Sequence, residues 1–340
     1  MGYRAPRWLP GPHAQTIWPA VIAPRERVEY RRERWTAPDG DFVDVDFALP
    51  AAATQRGRAD AGAGPGPLVV LFHGLEGNSG SHYAVALMAQ VLRRGWRGAV
   101  AHFRGCGGEL NLAPRAYHSG DSGEIDWMLR RFAAEHAGGA PLFAVGVSLG
   151  GNALAKWLGE RGANARFVAA AAVISAPQDL LAGAQSLSRG FNRIYTLNFL
   201  KTLKRKSLAK LGQHPGLFDR QRMLASRTFF DFDDAVTAPM HGFRDCYDYW
   251  EKSSSRRFLH GIEVPTLMIN ARNDPFLPPD ALALQAEVSP AVTLEYPDEG
   301  GHVGFAGGSF PGRFEWIPQR VLGFFTEHLG DAPAPEPADG

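Results

Sequence analysis

Residues 142–151 read Leu142-Phe143-Ala144-Val145-Gly146-Val147-Ser148-Leu149-Gly150-Gly151. The first six are apolar or small, as in a strand buried on both faces. A helix is expected from Leu149 to about Arg161. A strand that turns at a single serine into a helix carries G-x-S-x-G in the context where that pattern has a physical meaning. Ser148 sits on a tight bend, its hydroxyl clear of the strand and in front of the N–H groups that open the helix. Glycines two before and two after remove side chains that would collide across the bend. Ser148 is therefore a candidate nucleophile. The plainer alternative is a serine that only caps a glycine-rich helix.

Working outward, strands and helices alternate. Val28–Trp35 and Phe42–Leu49 are expected as two strands joined at Pro38-Asp39-Gly40, with Val43, Val45 and Phe47 alternating with Asp44 and Asp46. Apolar strands follow at Leu68–Phe72, Gly98–Phe103, from Phe167 to about Ser175, at Thr266–Asn270 and at Val292–Tyr296. Helical spacing covers Tyr83–Arg94, about Asp121–Ala137 and Arg313–Leu329. This order implies an α/β fold with a mostly parallel central sheet flanked by helices, and ligands beyond the carboxyl ends of the strands. The alternation breaks between Pro177 and about Glu263, which reads as a helical cap insertion at about 177–263. Residues 1–27 are expected as an N-terminal arm, 28–329 as the domain, and 330–340 as a disordered tail. Ala51–Pro67 is rich in Ala, Gly and Pro and reads as a long surface loop.

Composition narrows the function. The chain has 340 residues with 36 Lys and Arg against 35 Asp and Glu. Balanced charge gives no reason to expect a nucleic-acid partner. Two cysteines, Cys106 and Cys246, support neither a disulfide framework nor a zinc site. Nothing in the pattern implies a metal or organic cofactor. The proline-broken N-terminus does not resemble a signal peptide, and no apolar run is long enough to span a membrane, so a cytoplasmic location is expected.

A serine hydroxyl needs a neighbouring base. Of the histidines late in the chain, His328 lies among polar neighbours in the final helix. His302 lies in Glu299-Gly300-Gly301-His302-Val303-Gly304-Phe305, directly after the last strand, and is the candidate base. Asp274, in Asn273-Asp274-Pro275 after the preceding strand, is the candidate that orients it. Asp298 is the rival but comes early in its loop, and a purely structural Asn-Asp-Pro turn is the alternative for Asp274. The loop His73-Gly74-Leu75-Glu76-Gly77 follows strand Leu68–Phe72. With the residue after Ser148, it nominates the backbone N–H groups of Leu75 and Leu149 as an oxyanion hole. His73 is expected to shape that loop. Arg104-Gly105-Cys106-Gly107-Gly108-Glu109 lacks the Lys-Ser or Lys-Thr of a phosphate loop and reads as a wall of the site. Within the insertion, 199–211 places Leu200, Leu203 or Lys204, Ser207 or Leu208, and Leu211 near one face, with basic residues over much of the rest. That segment is either an ordinary cap helix with a solvated basic face or a weak contact with a membrane surface.

Several stretches together resemble the YheT-like α/β-hydrolases: Pro12-His13-Ala14-Gln15-Thr16-Ile17-Trp18-Pro19, His73–Gly77, Phe103–Glu109, Tyr117-His118-Ser119-Gly120 and Thr237-Ala238-Pro239-Met240-His241-Gly242-Phe243. The resemblance spans about Trp8 to Leu329. It implies the capped α/β-hydrolase fold, with Ser148, Asp274 and His302 matching a Ser, Asp, His triad. It further implies a serine hydrolase of carboxylic esters, short-chain to medium-chain or lipid-like. An acyltransferase, thioesterase or phospholipase would use the same triad, and a non-catalytic binding protein of the same fold is a further alternative. The chemistry of the His13-Ala14-Gln15-Thr16 stretch is not legible from the sequence. Packing of Trp8 and Trp18 against the domain is the expectation there.

Overall fold

The computed structural model describes residues 2–24, 26–50 and 66–330. Nearly all of the alanine-rich loop 51–67 and of the tail 330–340 lies outside the described residues. The chain opens with helix α1 (Gly11–Ile17) and a wider helical turn over Trp18–Ile22. Strands β1 (Glu29–Thr36), β2 (Phe42–Leu49) and β3 (Leu68–Phe72) follow, then α2 (His82–Arg93), β4 (Arg97–Ala101) and α3 (Ser122–Glu135). Next come β5 (Leu142–Val147), α4 (Leu149–Arg161) and β6 (Ala170–Ile174). Helices α5 (Leu180–Leu187), α6 (Arg193–Gln213), α7 (Arg220–Ala225), α8 (Phe229–Phe232), α9 (Ala238–His241) and α10 (Cys246–Ser253) separate β6 from β7 (Thr266–Ile269). The chain closes with β8 (Val292–Glu295) and α11 (Trp316–Glu327).

The strands form one eight-stranded sheet in the order β1-β2-β4-β3-β5-β6-β7-β8. β1 and β2 pair antiparallel with their neighbours, and all pairs from β4 to β8 are parallel. Every residue of β3, β5, β6 and β7 is buried, which is why these strands read as unbroken apolar runs. The edge strand β1 is mostly polar. Its Arg32 and Arg34 lie opposite Asp46 and Asp44 of β2 and pair with them at 2.7 and 2.8 Å. Opposed charges directly across two strands set their register, and a charged edge discourages further pairing.

Two apolar layers cover the sheet. One holds Trp35, Phe47, Met128, Phe132 and Trp157, with α3 and α4. The other holds Met88, Phe143, Phe305 and Phe325, with α2 and α11. The segment between β6 and β7 has small cores of its own, around Leu200, Met223 and Phe232 and around Tyr249 and Trp250. Buried Asp233 joins its turns, accepting from Trp250 Nε1 at 2.9 Å and from Thr237 Oγ1 at 2.6 Å. Burial pushes that carboxyl up to about 6.

Two sequence expectations shift. β6 begins at Ala170, not Phe167: a short 3₁₀ turn and a bend precede it, and Phe167 packs on Trp157 instead. An apolar run alone does not locate a strand's first residue. The N-terminal arm holds a helix despite its prolines, because Pro12 sits in the first turn of α1, where its missing N–H is no loss.

Candidate active site

β5 ends at Val147, and Ser148 follows with φ 53° and ψ −117°. A non-glycine residue in that region is strained and persists only where its surroundings over-determine it. Here two glycines make the bend possible. A Cβ on Gly146 would stand 2.6 Å from the Gly150 carbonyl oxygen, and one on Gly150 would stand 2.5 Å from the carbonyl oxygens of Phe72 and His73. The Ser148 N–H donates to Ile174 O at 2.8 Å and ties the bend to the end of β6.

The loop after β8 brings His302 over this serine. His302 Nε2 lies 2.9 Å from Ser148 Oγ, and Nδ1 lies 2.8 Å from Asp274 Oδ2. A carboxylate only accepts, so the proton resides on Nδ1 and Nε2 is left to accept from the serine hydroxyl. Asp274 is fixed in turn: its Oδ1 accepts from Phe276 N at 2.8 Å. The Phe276 ring stacks on the imidazole at 3.9 Å and 17°. The structure thus joins the three side chains singled out from the sequence. Asp298 is surface-exposed and faces Arg272.

The loop after β3 is almost fully engaged. Gly74 N donates to Tyr83 Oη, Glu76 N to Tyr117 Oη, and Gly77 N to Gly74 O, all within 2.8–2.9 Å. His73 is buried; burial pulls its pKa down to about 3 and keeps it neutral. Its Nδ1 donates to Gly74 O, and its Nε2 accepts from Phe103 N, so it is a strut of the loop. Among the described residues, no protein acceptor takes the Leu75 N–H, nor that of Leu149 in the first turn of α4. Both residues line the cavity that contains Ser148 and His302.

That cavity measures about 180 Å³ and is walled mostly by apolar side chains of α5, α6 and α8–α9, among them Leu180, Leu187, Phe199, Leu203 and Met240. Its few charges are spoken for. Arg104, in the glycine-rich loop, is held by Asp39, Asp41 and Glu124 at 2.7–2.8 Å. Lys206 pairs with Glu76 at 2.8 Å. Lys210 donates to the carbonyls of Asn111 and Ala113, and burial draws its ammonium down to about 8. Lys204 likewise binds the carbonyls of Leu224 and Ser226. Three of the basic residues expected on a solvated face of 199–211 therefore turn inward. So do Leu200 and Ser207, both buried.

One set of residues escaped the sequence reading. Gln15 and Thr16 of α1, both buried, hold the loop that carries His302. Thr16 Oγ1 accepts from His302 N at 2.9 Å and donates to Pro12 O at 2.7 Å. Gln15 Oε1 accepts from Gly300 N and from Asn273 Nδ2, each at 2.9 Å, and Asn273 Oδ1 accepts from Gly301 N at 3.0 Å. Val303, a β-branched residue at φ 58°, is pinned by Ser175 Oγ and, through its carbonyl, by His82. Trp8 and Trp18 do pack as expected, donating from their indoles to Gly308 and Pro311. The sequence resemblance marks this stretch, but hydrogen bonds across 286 residues leave no local pattern to read.

The profile of the alpha/beta hydrolase fold matches residues 67–309. YheT of Escherichia coli (strain K12) is 37% identical over 319 residues, covering 93% of this chain and 91% of that protein. The chain belongs to the YheT-like α/β-hydrolases. This hydrolase is also 29% identical over 327 residues to "Phospholipase ABHD3" of Mus musculus, covering 95% of this chain and 77% of that one. Among solved structures, the Pyrococcus furiosus esterase Pf2001 superposes with a TM-score of 0.54 at 15% identity, over 91% of this hydrolase and all of that chain. At that identity the likeness speaks to the fold alone.

Proposed function

We propose that this hydrolase cleaves carboxylic esters with apolar acyl chains, through an acyl-enzyme on Ser148. The single observation that carries the reading is the hydrogen-bonded line Ser148 Oγ–His302 Nε2, His302 Nδ1–Asp274 Oδ2, at the mouth of an apolar cavity. The names of the relatives, one a candidate esterase and one a phospholipase, agree with ester substrates.

The chemistry follows from the geometry. Ser148 Oγ attacks the acyl carbonyl carbon as its proton passes to His302 Nε2. The carbonyl π pair becomes an oxyanion, met by the N–H groups of Leu75 and Leu149. The Asp274 carboxylate stabilises the imidazolium. When the tetrahedral species collapses, the C–O bond to the alcohol breaks and His302 returns the proton to the departing oxygen. Water repeats the sequence on the acyl-enzyme, releasing the carboxylic acid.

A p-nitrophenyl ester series of increasing acyl length tests the reading. Each methylene that enters an apolar wall is worth about 0.8 kcal/mol, so kcat/KM should rise about fourfold per carbon until the cavity is filled, then fall. Absence of turnover on every ester would sink the ester reading; a flat profile would remove the acyl role of the cavity.

Thr16 serves as a positioning residue in this reading. Thr16→Val keeps the shape but orphans the His302 N–H and frees the loop. The expected result is a ten- to hundredfold fall in kcat, about what a displacement near 1 Å costs, with KM little changed. Thr16→Ser should restore most of the rate. Equal loss in both variants would point to packing alone.

A further inference from the structure

We infer that the outward face of α6 is a docking surface for an anionic lipid bilayer. A helix at the surface of a globular domain ordinarily has one apolar stripe, facing inward. α6 has two. Its inner face supplies Phe199, Leu203 and Lys206 to the cavity beside Ser148 and buries Leu200. Its outer face exposes Ile194 by 52%, Leu197 by 55% and Leu208 by 37%, and Phe191 just ahead of the helix by 49%. At 3.6 residues per turn, Ile194, Leu197, Lys201, Arg205 and Leu208 fall on one stripe about 20 Å long.

The charge on this helix has one sign. Residues 193–213 contain six Lys and Arg and no Asp or Glu, in a chain otherwise near balance. Lys204, Lys206 and Lys210 are bound inside. Arg193, Lys201 and Arg205 are exposed, and among the described residues none of them pairs with a carboxylate. Apolar side chains interleaved with cations on one exposed stripe match the boundary between headgroups and acyl chains, where each group finds its own partner. A nucleic acid would satisfy the cations and leave Ile194 and Leu197 in water, so the bilayer is the occupant favoured. Docking there sets the opposite face of the same helix, and the apolar cavity it lines, against the source of acyl chains.

The test is sedimentation of the full chain with phosphatidylcholine vesicles, with and without phosphatidylglycerol as a third of the lipid, at low and high salt. Binding is read without turnover, so failure of the ester reading leaves this inference standing. The expected result is binding to the anionic vesicles, release by salt and little binding to the neutral ones. Each cation at a negative surface is worth about fivefold, so Lys201→Glu with Arg205→Glu should weaken binding at least about tenfold. Ile194→Ser with Leu197→Ser should weaken it comparably. Both variants should keep the wild-type thermal midpoint and the wild-type rate on a water-soluble short-chain ester. No binding by the wild type, or binding unchanged in both variants, overturns the inference. So does binding to a DNA duplex that matches vesicle binding while Ile194→Ser with Leu197→Ser has no effect, which marks a nonspecific cationic patch.

Discussion

Replacing Ser148 with alanine should leave ester turnover about 10⁴–10⁶-fold below wild type, with the fold intact. The hydroxyl is the one group in the cavity that has both a base at 2.9 Å and two free N–H donors nearby, and alanine removes the nucleophile while keeping everything else. Residual rate would come from the hole and the binding walls acting on water. The strain at position 148 also has a consequence for the control. Alanine needs the same φ of 53°, so its thermal midpoint should stay close to wild type. The measurement pairs initial rates with covalent labelling by a fluorophosphonate. Labelling of the wild type at Ser148, none in the variant and loss of turnover together support the mechanism. A variant that retains more than a few per cent of the wild-type rate would exclude Ser148 as nucleophile.

Asp274→Asn should lower kcat by about 10⁴-fold while leaving KM nearly unchanged. The size of the effect comes from the second partner of the carboxylate. Oδ1 accepts the Phe276 N–H at 2.8 Å, a bond that an amide nitrogen has no means of making. The asparagine oxygen must therefore face Phe276, which turns its NH₂ toward His302 Nδ1. That ring nitrogen then has to accept, the proton moves to Nε2, and the imidazole no longer receives the serine proton. Steady-state kinetics on one ester, with the rate of fluorophosphonate labelling measured in parallel, checks this. Both rates should fall together. A fall of less than tenfold would show that Asp274 does not fix the tautomer.

Much of this site was legible in the sequence because its parts sit on regular punctuation. Ser148, Asp274 and His302 each follow an apolar strand, and parallel strands deliver their carboxyl ends to one side of the sheet. The position of Leu75 beside the cavity, after β3, was legible for the same reason. The fold was readable because β3, β5, β6 and β7 are buried on both faces and show it in composition. What was not legible rests on contacts between distant residues. The inward turn of Lys206 and Lys210 depends on Glu76 and on the carbonyls of Asn111 and Ala113, which no helical period reports. Proline count concealed α1, since Pro12 breaks a helix interior but not a first turn. Gln15 and Thr16 are ordinary residues on a short helix until the loop at 300–304 is laid beside them.

That last pairing also fixes the order in which the protein comes of age during synthesis. Thr16 leaves the ribosome 286 positions ahead of its partner His302. A growing chain can set out β3, β5 and the serine bend early. Until residue 302 has been made, however, it holds the serine bend without His302 and an N-terminal helix with nothing to clasp. Under the proposed mechanism, Ser148 has no base until that point. Its N-terminal helix stays vacant until the loop at 300–304 has been made, when Gln15 and Thr16 take up Gly300 and His302 and help to seat the imidazole over Ser148.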